Sequence, residues 1–196
     1  MEGVNQFVTY TMFNQPENSL SANFRFGKRI NKVKFSLESR GSYNEFFQLV
    51  NDNVSKNLSR SISATGKVET LFDKWPNVEL GYTKSPSVYS TSTNKTTFAN
   101  STFFVNLDCV FFNDFHLKTD FGRIEFINQG QNLRNVFDVA NASLLYQKED
   151  SPWGFEISVN NLFDVRFKRQ NSFSDFLISD QSTAIMPKIL MLKVLY

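Results

Sequence analysis

The residues able to do chemistry are few, and their spacing does not assemble a reaction centre. The chain holds one histidine, His116, and one cysteine, Cys109. His116 sits between Phe115 and Leu117 in an alternating segment, which turns it to the polar side beside Lys118 and Asp120. A solvated histidine on a polar strand face is the ordinary reading there, and a proton or metal role the minor one. Cys109 shares a strand face with Val105, Leu107 and Phe111, so it reads as an apolar packing or lipid-facing residue and not as a nucleophile. Ser151 and Ser174 have no base at motif spacing, and no glycine-rich phosphate loop is present. One cysteine excludes an intrachain disulfide and a cysteine-based zinc site, and one histidine excludes a His-rich metal site. The expectation is therefore a non-enzyme, with no catalytic, metal or cofactor residue.

The elements that would position these side chains are strands. Phe dominates the aromatics, with 22 Phe against 6 Tyr and 2 Trp in 196 residues. A chain 41% hydrophobic and 15% aromatic carries too much apolar surface to stay disordered. Few alanines and abundant Ser, Asn, Thr and Phe give poor helix propensity over any window. The 21 basic and 19 acidic residues are scattered, so no footprint for nucleic acid exists. No apolar run reaches the roughly 18 to 20 residues of a spanning helix. The start, Met1-Glu2-Gly3, carries neither a basic region nor an apolar one, so no secretory signal is visible. Those features alone point to a soluble cytosolic β protein; the pattern along the chain points elsewhere.

Apolar and polar residues alternate with period two, as in strands with unlike faces. Leu20, Ala22, Phe24 and Phe26 open the series, followed by Val33, Phe35 and Leu37, then by Ile62, Ala64 and Val68, and by Val78, Leu80 and Tyr82. Phe103 to Phe111, Phe115 to Phe121, Ala140 to Tyr146, Trp153 to Val159 and Leu190 to Tyr196 repeat it. With a further strand over Gln6 to Phe13, the pattern predicts about ten strands, several near the length that crosses a bilayer when tilted. Short connections (Gly27–Lys32, Phe72–Asn77, Phe112–Phe115, Lys148–Trp153) alternate with long polar ones (Tyr43–Ser59, Lys84–Thr96, Asn128–Val136, Asp164–Met186). In an up-and-down antiparallel sheet this puts tight turns on one edge and long loops on the other, the asymmetry of an outer-membrane barrel. A Greek-key sandwich would mix the two. Phe72, Trp75, Phe112, Phe115, Trp153 and Tyr196 flank the short-turn edge as an interfacial girdle would.

The stretch Trp153-Gly-Phe-Glu-Ile-Ser-Val-Asn-Asn-Leu-Phe-Asp164, then Asn171-Ser-Phe-Ser-Asp-Phe176, Pro187 and an alternating strand ending on an aromatic residue resembles the C-terminal end of TonB-dependent outer-membrane receptors. Lys74-Trp-Pro-Asn-Val-Glu-Leu-Gly-Tyr82 resembles a periplasmic turn and strand of the same group, particularly its Bacteroidota-type members with an N-terminal carboxypeptidase-regulatory-like domain. The resemblance covers most of the chain, best from Trp153 onward.

This resemblance implies that Asn161, Leu162, Phe163 and Asp164 close the penultimate strand. It also implies that Leu190, Leu192, Val194 and Tyr196 form the signal read by the barrel-assembly machinery. Tyr196 stands where Phe is commoner in the family. The expected fold is an all-β, antiparallel, up-and-down transmembrane barrel segment. Residues 1–196 would be the C-terminal part of a larger barrel, without plug or signal peptide. Its expected partners are outer-membrane lipids, the barrel-assembly machinery, the remaining strands and plug of a parent receptor, and TonB only through that plug. Uptake of a metal chelate or oligosaccharide across a bacterial outer membrane is the implied activity. Two other readings remain open at this point: a self-sufficient small barrel with a structural or adhesin role, and a soluble β-sandwich binding module.

Overall fold

A computed structural model describes residues 14–50, 53–73, 76–92, 94–130, 132–173 and 178–196. The expected strand over Gln6 to Phe13 lies outside these residues, as do Trp75 and Ser174. The described residues hold eleven strands and no helix: β1 (Asn18–Ile30), β2 (Val33–Val50), β3 (Asn53–Thr70), β4 (Asn77–Ser90), β5 (Lys95–Phe111), β6 (Phe115–Asn128), β7 (Leu133–Gln147), β8 (Gly154–Asn160), β9 (Phe167–Phe173), β10 (Ile178–Ala184) and β11 (Ile189–Leu195). Nine form one antiparallel sheet in the order β1-β2-β3-β4-β5-β6-β7-β8-β11, while β9 and β10 pair as a separate hairpin. The expected all-β, up-and-down architecture is thus the one observed.

Among the described residues the sheet is open, with β1 and β11 as its edges. Every neighbouring pair is antiparallel and the strand number is odd, so β1 and β11 run in the same direction. Closing these nine strands on themselves would need a parallel seam. The strands are also staggered. The register line from Leu192, in the middle of β11, passes Ile157, Leu144, Leu117 and Cys109. At β4 that line has already run off the strand, since Asn77, its first residue, pairs with Asp108. A stagger on the order of one residue per strand goes with strands tilted about 35–45° in barrel-type sheets.

The connections correct the sequence reading in one respect. The polar stretches 43–59, 84–96 and 128–136 are not long loops. They are mostly strand: β2 and β3 pair out to Val50↔Asn53, β4 and β5 out to Ser90↔Lys95, and β6 and β7 out to Asn128↔Leu133. Polar and apolar residues no longer sort by face there, Phe46 and Tyr89 falling in the polar phase, which erases the period-two signal while leaving the backbone ladder free to continue. Likewise 164–186 contains the β9–β10 hairpin. The asymmetry between the two edges therefore lies in strand extension.

Turns at the short edge use left-handed backbone at Asn31 (φ 54°), Phe112 (φ 51°) and Asn113 (φ 62°). Asparagine tolerates that region; phenylalanine is strained in it. Within β4, Pro86 lacks an N–H, and the β3–β4 ladder skips from Ser61↔Ser87 to Ala64↔Lys84. A hydroxyl hydrogen bond between Ser63 and Ser85 (2.7 Å) spans the gap. Gly81 leaves room for the ring of Phe104 opposite it, which lies where a Cβ would stand.

Candidate functional site

The two faces of the sheet are chemically opposite, and the apolar one is not buried. Register places Leu20-Ala22-Phe24-Phe26, Phe35-Leu37, Ile62-Ala64-Gly66-Val68, Val78-Leu80-Tyr82, Phe103-Val105-Leu107-Cys109-Phe111, Phe115-Leu117, Ala142-Leu144-Tyr146, Phe155-Ile157-Val159 and Leu190-Leu192-Val194 on one continuous face. Phe24, Phe26, Ile62, Leu80, Phe103 and Ile157 are all exposed on it, and Leu190 and Leu192 reach 70%. Nothing among the described residues covers this face. From Phe103 to Phe111 the band extends about 27 Å along the strand at ~3.4 Å per residue, or about 21 Å across a sheet tilted by ~40°.

At the short-turn edge the band ends in rings. Phe111 stacks on Phe115 (centroids 5.3 Å), Phe115 meets Tyr146 (4.9 Å), Phe112 meets Phe111 (5.7 Å) and Trp153 packs on Tyr196 (4.7 Å). Phe112, Phe115, Trp153 and Tyr196 were expected at this edge; Phe111 and Tyr146 join them. Phe72 stands in the β3–β4 turn, where its N–H donates to Asn77 Oδ1 (2.6 Å) and its carbonyl accepts from Asn77 Nδ2 (3.0 Å). A second tie at this edge joins two turns: Lys32 Nζ donates to Asp73 Oδ2 (2.6 Å), and that ammonium holds the Asp73 carboxyl below its usual range.

The opposite face is polar and hydrogen-bonded across its strands, with Asn135 Nδ2 and Ser158 Oγ buried there without a partner among the described residues. Cross-strand hydroxyls bond at Ser42–Ser61 (2.7 Å) and Thr65–Thr83 (2.9 Å). Toward the short-turn edge these give way to ion pairs: Lys34–Glu69 (3.2 Å), Lys67–Glu79 (2.9 Å) and Lys193–Glu156 (3.2 Å). Asn106 Nδ2 donates to Glu79 (2.9 Å) and Asn141 Nδ2 to Asp120 (2.7 Å). His116 faces this side as expected, but its Nε2 meets Asp108 on β5, with Lys118 Nζ 3.8 Å from the same carboxylate. Ser151 is a turn residue whose hydroxyl accepts from the Trp153 N–H (3.1 Å). Among the described residues no group of three His, Cys, Asp or Glu side chains could hold a metal ion.

Farther along the polar face, near the extended ends, the rings of Phe46, Tyr89, Phe98 and Phe126 are buried, Phe98 to 1%. Tyr89 donates to Asn57 Oδ1 (3.2 Å), and the Phe98 and Phe126 rings stack at 6.3 Å. Sequence reading missed this small core. Its signal was present as aromatic residues in the polar phase of β2, β4, β5 and β6.

The segment Asn161-Leu-Phe-Asp164 follows β8, the sheet neighbour of β11, with the β9–β10 hairpin inserted between the two. Buried Asn161, at φ 53°, donates from Nδ2 to the carbonyls of Val165 and Met186 (both 2.8 Å) and accepts at Oδ1 from the Val165 N–H (3.0 Å). Asp164 Oδ1 accepts from the Lys188 N–H (3.2 Å). Leu162 donates its N–H to Ala140 (2.8 Å), and Phe163 packs edge-on against Phe121 (6.2 Å). The four residues thus clamp both ends of the hairpin connection to the sheet.

No protein-family model, curated protein or solved structure matches this chain.

Proposed function

We propose that the chain is the C-terminal wall of a β-barrel in a bacterial outer membrane, and that the parent protein is a TonB-dependent receptor taking up a scarce nutrient such as a metal chelate or an oligosaccharide. The observation that carries the membrane part is an apolar face left uncovered. The continuous face of Leu, Phe, Ile and Val is exposed, whereas the opposite face is polar and hydrogen-bonded across its strands. In water an exposed apolar surface of that extent is an aggregation or interaction site; against lipid it is the ordinary outside of a barrel. The rings along the short-turn edge suit headgroup depth, where one end of the side chain is apolar and the other wet.

The receptor assignment rests on the resemblance from Trp153 onward. In that reading Leu190, Leu192, Val194 and Tyr196 serve the barrel-assembly machinery. The plug and the strands that pair with the β1 and β11 edges belong to the parent protein, TonB acts only through the plug, and this segment alone does no active transport. A soluble sandwich would need a second layer over Phe24, Ile62, Leu80 and Leu192.

The lone cysteine gives the test. A fluorophore on Cys109 in the membrane-reconstituted chain should be quenched by brominated lipid and shielded from aqueous iodide. The same label on Asn106→Cys in a Cys109→Ser background should show the reverse, because Asn106 lies on the polar face. Equal iodide quenching at the two positions would overturn the membrane reading.

A further inference from the structure

The border of the apolar face toward the extended hairpins is ionic. On β3 the face runs Val68, Gly66, Ala64, Ile62 and then Arg60; on β4 it runs Val78, Leu80, Tyr82 and then Lys84; on β6 Phe121 is followed by Arg123, and on β7 Ala140 by Asp138. These changes make a ragged row: Lys84 pairs with Ala64, four residues from Arg60, and stands six residues from Val78, while Arg60 stands eight from Val68 and Arg123 eight from Phe115. At ~3.4 Å per residue and a tilt of ~40°, six to eight residues cover about 16–21 Å across the apolar band, so the row lies toward the border opposite the aromatic one.

Most charges of this border are matched within the chain. Arg123 reaches Asp138 (3.8 Å), Arg134 reaches Glu125 (2.6 Å) and Lys56 reaches Glu45 (3.0 Å). Arg60 and Lys84 are not: both are exposed, and among the described residues no carboxylate lies within ion-pair distance of either. Arg60 is oriented all the same, its guanidinium sitting 5.3 Å over the Tyr43 ring. On the polar face Lys34, Lys67, Lys118 and Lys193 each have a carboxylate partner, while Arg40 has none among the described residues; what sets Arg60 and Lys84 apart is their place beside the apolar surface. Two cations without counter-ions at the edge of an apolar surface call for acceptor oxygens from outside the protein.

Resting on the membrane reading above, we propose that Arg60 and Lys84 form a binding row for the phosphate groups of lipids in the leaflet that meets the extended hairpins. The headgroup oxygens accept from the guanidinium and ammonium, while the acyl chains lie against Ile62, Ala64, Leu80 and Tyr82. The two borders then differ in kind, rings on one leaflet and cations on the other.

The test is co-flotation of the full chain with phosphatidylcholine vesicles, alone or with about 20 mol% phosphatidic acid. A basic residue near an anionic surface contributes about fivefold in partition. The expected result is a gain with phosphatidic acid that Arg60→Gln/Lys84→Gln abolishes and that Arg40→Gln/Lys118→Gln, which removes equal charge from the polar face, retains. Flotation with neutral vesicles but no gain overturns the row and leaves the membrane reading standing. Loss of the gain in both double variants also overturns it, since net charge would then suffice. Suppression by inorganic phosphate, and not by chloride at equal ionic strength, would assign the two cations to free phosphate instead. No flotation with either vesicle overturns the membrane reading itself.

Discussion

Leu80→Arg is the sharpest probe of the proposal that the apolar face meets lipid. Leu80 lies mid-band on β4, between register partners Val68 and Val105, with Val78 and Tyr82 as its neighbours on the same face, and it is 44% exposed. None of these neighbours offers a counter-charge. A basic side chain on the lipid face near mid-depth costs about 2–4 kcal/mol, which lowers the folding equilibrium about 30- to 700-fold. Asn106→Arg makes the same change on the polar face. There the new guanidinium lies beside Glu79, to which Asn106 now donates at 2.9 Å, so its expected cost is near zero. Urea titration of the vesicle-folded chain, with Leu80→Ala to subtract the lost leucine contacts, measures the difference. Equal costs at Leu80 and Asn106 would refute the assignment of faces. So would a folded, lipid-free monomer in buffer whose stability Leu80→Arg leaves unchanged.

Three further outcomes follow from local geometry. Asn161→Ala removes three hydrogen bonds at the hairpin base, each contributing about 0.5–1.5 kcal/mol; limited proteolysis between 166 and 186 should accelerate well beyond any shift in the urea midpoint, and Asn161→Gly, which accepts the positive φ, should behave alike. At φ 51°, Phe112→Asn should unfold in detergent at higher urea than Phe112→Ala by about 1 kcal/mol, since both lack the ring and differ in tolerance of left-handed backbone; equal midpoints would count against that geometry. Because Lys32 depresses the Asp73 carboxyl, its contribution is fully present above the ordinary value of 3.8 and is lost as pH falls through the lower folded value. The urea midpoints of wild type and Asp73→Asn, compared between about pH 2 and 7, should therefore differ at neutral pH and converge in acid.

Much of the fold was legible because a strand writes its two faces directly into alternate residues. The runs from Leu20, Ile62, Phe103 and Leu190 show the alternation, and the sheet uses each of them. What escaped reading lacked that signal. In the extended ends of β2 to β7 polar and apolar residues no longer sort by face, so they look like loops until their ladders are seen. Phe46, Tyr89, Phe98 and Phe126 occupy the polar phase, and only their meeting across four strands makes them a core. The Asn161-Leu-Phe-Asp164 segment was noticed through its resemblance; its clamp on Val165, Met186 and Lys188 is a matter of hydrogen-bond geometry.

The chain by itself determined the strand class, the unlike faces and the composition of each face, since these depend on residues one or two positions apart. Only the tertiary structure decided that the apolar face stays uncovered, that β1 and β11 run parallel and unjoined among the described residues, and which charges find partners. Those outcomes depend on residues brought together across the sheet. Lys67 meets Glu79 by virtue of register, whereas Arg60 and Lys84, identical in kind, are left facing outward. Pairing of that sort is fixed by stagger and strand order, and neither is written into the local pattern.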